Sequence, residues 1–159
     1  MNQEKAATAQ NIELDYQKFF VWLKDKYGAD RVYYFVGFMQ KFQERYDFLT
    51  EVGYTLVFKE VVYSGGKAKG NCDADLVVHV MRDYYEGICK KAVIVSSDGD
   101  YAVLVKFLSE RGALQTVISP AAPDKCSILL KRLKISMTFL NRIAEHFDKN
   151  KKAPIQDGT

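Results

Sequence analysis

The chain has 159 residues, 48% of them hydrophobic and 27% charged, which is the mix of one globular domain with a real core. No apolar run approaches the roughly 20 residues that span a bilayer, and the polar opening "MNQEKAATAQN" does not read as a secretory signal. Three scattered cysteines suggest neither a disulfide framework nor a CxxC metal site, so a reducing, cytoplasmic setting is expected, and a net charge of +3 permits a polyanionic partner without demanding one.

In chain order, "LDYQKFFVWLKDKYG" places Tyr16, Phe19, Phe20, Leu23 and Tyr27 on one helical face, with Asp15 as N-cap and Gly28 as stop. "RVYYFVGF" reads as a strand, and core packing is the better use of Tyr33, Tyr34 and Phe35 than base stacking. "MQKFQERYDFLTEVG" is helical, with Met39, Phe42, Tyr46 and Leu49 on one side. "YTLVFKEVV" is a strand and "YSGGKAKGN" a glycine- and lysine-rich loop. A helix follows over about 74–86. "KAVIVSS" is then a buried strand, "YAVLVKFLSERG" a helix ending at Gly112, and "ALQTVISP" a strand. "DKCSILLKRL" reads as a short helix, "KISMTFL" as a strand and "NRIAEHFDK" as a last helix.

This alternation predicts an α/β fold of βαβ units around a mostly parallel sheet. Residues 1–148 are read as one domain, and 149–159 as a basic tail that frays into solvent.

Two acidic stretches stand out. In "VIVSSDGDY" a β-branched run ends in two serines, and Asp98 and Asp100 follow with only Gly99 between them. One N-cap explains one aspartate and leaves the other without a purpose. In "KGNCDADLVVHVMRDYYE", Asp73 heads the stripe of Leu76, Val77, Val80, Met81 and Tyr84, and so points inward at a helix start. Asp75 shares its face with His79, Arg82 and Glu86 and points to water. Strand carboxyl ends are where open parallel sheets bind ligands. Two carboxylates about 4 Å apart repel by about 4 kcal/mol at an effective dielectric of 20. A divalent cation offsets that repulsion, and an all-oxygen cluster selects Mg²⁺ or Mn²⁺.

Together, "KGNCDADLVVHVM", "KAVIVSSDGDYAVLVKFLSERG" and "TVISP" resemble the NYN domains, PIN-like metal-dependent ribonucleases, in their LabA-like branch. The resemblance spans nearly the whole chain. It implies a Rossmann-like three-layer α/β/α fold and acidic residues that hold Mg²⁺ or Mn²⁺ to hydrolyse RNA, expected to be single-stranded. The positions that match are Asp73, Asp98 and Asp100, as both metal ligands and catalytic residues. Asn2 matches the asparagine of the family's D-G-x-N motif. Lys69, Asn71, Ser96 and Ser97 are candidates to orient the carboxylates or to contact RNA.

Two departures go with the resemblance. Ser97 stands where the family has glycine, which would strain a positive φ. The family's first strand, with its aspartate, is missing, and truncation is preferred to degeneration as the reason. The reading that follows is a metal-dependent endoribonuclease. The alternative is a catalytically silent RNA-binding or protein-interaction module, and homo-oligomers are open to either. A dehalogenase-type phosphate-transfer enzyme ranks lower, because its D-x-D belongs on the first strand. Neither His79, read as outward-facing, nor His146 has a ligand partner at the right spacing.

Overall fold

The structure is a computed structural model in which residues 14–143 are described. They fall into two compact units, one of residues 20–92 and the other of residues 14–19 with 93–143. The fold is mixed α/β with mostly parallel strand pairing, as the alternation predicts. The expectation about the family's first strand falls outside the described residues, as do Asn2, His146 and the tail at 149–159. No helix among the described residues is long and apolar enough to cross a membrane.

Helix α1 (Tyr16–Tyr27) starts as its sequence predicts: the Lys18 backbone N–H donates to Asp15 Oδ1 at 3.0 Å. Gly28 leaves the helix with φ 63°, the left-handed step that glycine takes at no steric cost.

In the 20–92 unit, β1 (Tyr33–Gly37) pairs in parallel with β2 (Thr55–Lys59), with Tyr34 opposite Leu56 and Val36 opposite Phe58. A 3₁₀ turn (Gln40–Phe42) and α2 (Gln43–Val52) form the crossover. Tyr46 and Leu49 are buried as expected, but Phe42 is exposed. The reason is the turn itself: three residues per turn break the 3.6-residue register that placed Phe42 with the core face.

The segment read as a loop is a hairpin. Strands β3 (Val62–Ser64) and β4 (Lys67–Lys69) pair antiparallel around Gly65 and Gly66, whose φ values of 60° and 73° supply the tight turn. All six strand residues are exposed. Strands this short give little alternation, and the two glycines were the only hairpin signal.

Helix α3 (Asp73–Tyr85) closes this unit. His79 does not face outward. Its ring sits 4.4 Å from that of Tyr33 and 5.5 Å from that of Phe35, and only 17% of the side chain is exposed. The apolar face is wider than the stripe read from spacing, because β1 presents aromatic rings that an imidazole can pack against.

In the other unit, β5 (Ala92–Val95, entering it at Val93), β6 (Leu114–Ser119) and β7 (Met137–Phe139) form a three-stranded sheet in the order β5-β6-β7, with β6 and β7 parallel. Helix α4 (Ala102–Glu110) buries Leu104, Val105 and Leu108, and Val117, Ile118 and Leu130 are fully buried. Two short helices, α5 (Ile128–Lys131) and α6 (Leu140–Ile143), complete the described chain.

Candidate functional site

Asp98 and Asp100 follow β5, on the turn that leads into α4. The strand ends because the chain is handed to side-chain acceptors. The Asp98 backbone N–H donates to Ser96 Oγ at 3.0 Å, and the Asp100 N–H donates to Asp98 Oδ1 at 2.9 Å. Asp98 therefore caps the 3₁₀ turn Gly99–Tyr101. The N-cap role expected of one of the two aspartates thus falls to Asp98, and it engages Oδ1. Asp98 is half-buried and Asp100 exposed, while Ser96 and Ser97 are buried.

Ser97 occupies its place without strain. Among the described residues Lys134 is the one non-glycine with positive φ, so a serine here meets no steric penalty. Its carbonyl accepts from the Ser127 backbone N–H at 3.1 Å. Ser127 also caps α5, its Oγ accepting from the Leu129 N–H at 3.2 Å. That side chain lies where a Cβ on Gly99 would go. Sequence reading missed Ser127, which stands about 30 residues from the turn it braces. No spacing rule could have found it.

Asp73 is the first residue of α3, not its cap. The N-cap is Cys72, which makes no side-chain cap bond. The Asp73 N–H donates instead to Asn71 Oδ1 at 2.7 Å, a local turn that fixes the residue as the helix begins. Asp73 is half-buried at a helix N-terminus, where backbone N–H groups favour negative charge. Asp75 points to water, as expected, and its Oδ2 pairs with Lys59 Nζ at 3.0 Å. Lys69 ends the exposed strand β4, two residues before Asn71.

Burial pushes the Cys72 thiol up, and the Asp75 carboxylate adds to the rise.

A family model described as the NYN domain matches residues 3–136. The crystal structure of a protein of unknown function from Vibrio parahaemolyticus is similar, with a TM-score of 0.70 and 19% identity. The alignment covers 91% of this chain and 87% of that one. At that identity the likeness concerns the fold alone. No curated protein matches. With the family model spanning most of its length, the chain belongs to the NYN domain family.

Proposed function

We propose that the protein is a metal-dependent endoribonuclease in which Asp73, Asp98 and Asp100 hold Mg²⁺ or Mn²⁺. The observation that carries this reading is the donor set. These three aspartates each offer one carboxylate oxygen to a group that could hold a metal ion, in a chain whose family is ribonuclease-like. The donors fit a hard divalent cation: all are oxygens, and such an ion offsets the repulsion among three gathered carboxylates. Half-burial of Asp73 and Asp98 strengthens their attraction for a cation, while exposed Asp100 leaves a path for substrate.

When bound, such an ion supplies an acidified water and a polarised phosphoryl oxygen. The chain's own residues supply position. Ser96 and the Asp98 cap hold one pair of carboxylates in a fixed turn, and Asn71 fixes the start of α3 under Asp73. Lys67 and Lys69 on the exposed hairpin offer positive charge to an RNA backbone without reading its sequence. The extent of the catalytic domain, residues 1–148, is part of the same proposal.

Labelled single-stranded RNA incubated with Mn²⁺ should be cleaved, and EDTA should stop the reaction. Asp98→Asn keeps an oxygen to cap the turn but loses the charge, so cleavage should fall by about 100-fold or more. Undiminished cleavage by that variant would contradict the proposal. Tight RNA binding with neither cleavage nor Mn²⁺ uptake would support a silent binding module instead.

A further inference from the structure

We propose that the β3–β4 hairpin is an arm that grips single-stranded RNA by its backbone, with Lys67 and Lys69 on one face holding neighbouring phosphates. The inference rests on the ribonuclease reading for the identity of its ligand, and it adds which face binds and how the strand is held.

The register divides the hairpin into two faces. Val62 lies opposite Lys69, Tyr63 opposite Ala68 and Ser64 opposite Lys67. Paired residues share a face, and successive ones alternate. One face therefore carries Val62, Ser64, Lys67 and Lys69, and the other Tyr63 and Ala68. The two lysines are two positions apart on β4, so their Cα atoms are separated by about 6.6 Å. Neighbouring phosphates of one extended strand can match such a step.

Charge selects the occupant. Residues 62–69 hold two lysines and no acidic residue. Among the described residues neither lysine is in an ion pair, and Asp75 is already taken by Lys59. Both lysines are exposed, as is every strand residue of the hairpin. Two unneutralised ammonium groups on one bare face suit a polyanion. Lysine is a point charge without the fork of arginine, so it holds phosphates and leaves the bases unread.

The arm is rooted before any ligand arrives. Val61, just ahead of β3, fills the space beside two glycines. A Cβ at Gly37, the last residue of β1, would come within 2.8 Å of Val61 Cγ2, and one at Gly70, just after β4, within 2.7 Å. The base of the hairpin is thus packed on the end of β1, and a fixed root leaves less to order on binding.

The arm also leads to a proposed donor. The Gly70 carbonyl accepts from the Cys72 thiol at 3.5 Å, and Asn71 Oδ1 accepts from the Asp73 N–H at 2.7 Å, so the link is held by its own side chains. Lys69 stands four positions before Asp73. Their Cα atoms are therefore at most about 14 Å apart. RNA with a phosphate at Asp73 would pass within reach of both lysines.

Fluorescence anisotropy with a labelled oligouridylate in EDTA, repeated over a range of salt concentrations, reads these contacts apart from cleavage. On a single strand the slope of log K against log salt changes by about 0.7 for each phosphate neutralised. Lys67→Gln and Lys69→Gln should each flatten the slope by about that amount, and the double variant by about twice as much. Tyr63→Ser, on the opposite face, should leave slope and affinity unchanged. All three side chains are exposed, so none of these variants removes core packing. With Mn²⁺ present, the double lysine variant should lose kcat/KM mostly through KM. An unchanged slope in the double variant, a larger loss from Tyr63→Ser than from either lysine, or no RNA binding by the wild type would overturn the arm. Unchanged RNA affinity with lost sedimentation onto phosphatidylserine vesicles would overturn it too, and would mark the lysines as a membrane contact. Cleavage abolished by Asp98→Asn while the lysine variants keep the wild-type slope would remove the arm and leave the nuclease proposal standing. Flattened slopes in a protein that does not cleave would support the arm and remove the nuclease.

Discussion

Gly99 carries no side chain because Ser127 fills the space where one would go. The Asp-Gly-Asp spacing follows from that: the turn after β5 must pass close under the α5 cap, and two carboxylates flank the point of closest approach. Gly99→Ala would drive a methyl group into Ser127 Oγ and Leu129, so it should destabilise the protein by about 1–3 kcal/mol, as overpacking does. Urea unfolding monitored by circular dichroism measures this. The double variant Gly99→Ala with Ser127→Gly should recover part of the loss, and no recovery would show that the clash lies elsewhere. At this scale the sequence showed the carboxylates and the serines before them. It could not show Ser127, because a contact about 30 residues away leaves no mark on local spacing. The departure at Ser97 was legible too, but its consequence was not: the strain depended on a φ value that the chain does not adopt.

Helix α3 illustrates what an element adds. Its stripe of Leu76, Val77, Val80 and Met81 was readable from the 3.6-residue period, yet the one residue of the helix that is buried is Asp83. That carboxylate accepts from the Tyr33 hydroxyl at 3.1 Å and lies 3.7 Å from both His79 Nε2 and Arg82 Nε. Arg31 in turn donates to the Tyr33 hydroxyl at 3.5 Å, and that bond pushes the guanidinium further up. A carboxylate on a buried face looks like an error in sequence, because its hydrogen-bond donor Tyr33 lies on β1, 50 residues away. Tyr33→Phe leaves that buried carboxylate one donor short, so it should cost about 1–3 kcal/mol. Asp83→Ala removes the acceptor of the same bond, so the double variant should cost less than the sum of the two single ones. Chemical denaturation of the three variants checks this, and strictly additive losses would show that the hydrogen bond contributes nothing. The β3–β4 hairpin makes the opposite point. Its Gly65-Gly66 turn was visible, but three-residue strands gave no alternation to reveal the pairing.

For the molecule as a whole, the α/β class was legible because helical and extended periods alternate cleanly along most of the chain. The division into units of residues 20–92 and of 14–19 with 93–143 was not, since no linker or change in composition marks it. Family membership rests on the match to residues 3–136, and the proposed donor set is Asp73, Asp98 and Asp100. Neither acidic stretch alone is a metal site: Asp98 has a cap to serve, and Asp73 a helix start to complement. A cation that needs all three is the physical claim from which ribonuclease chemistry follows. Calorimetric titration of Mn²⁺ into the wild type and into Asp73→Asn tests it most directly. The expected result is saturable uptake by the wild type, weakened by about 10–100-fold or more when Asp73 loses its charge. Equal uptake by the two proteins, or none by the wild type, would contradict it.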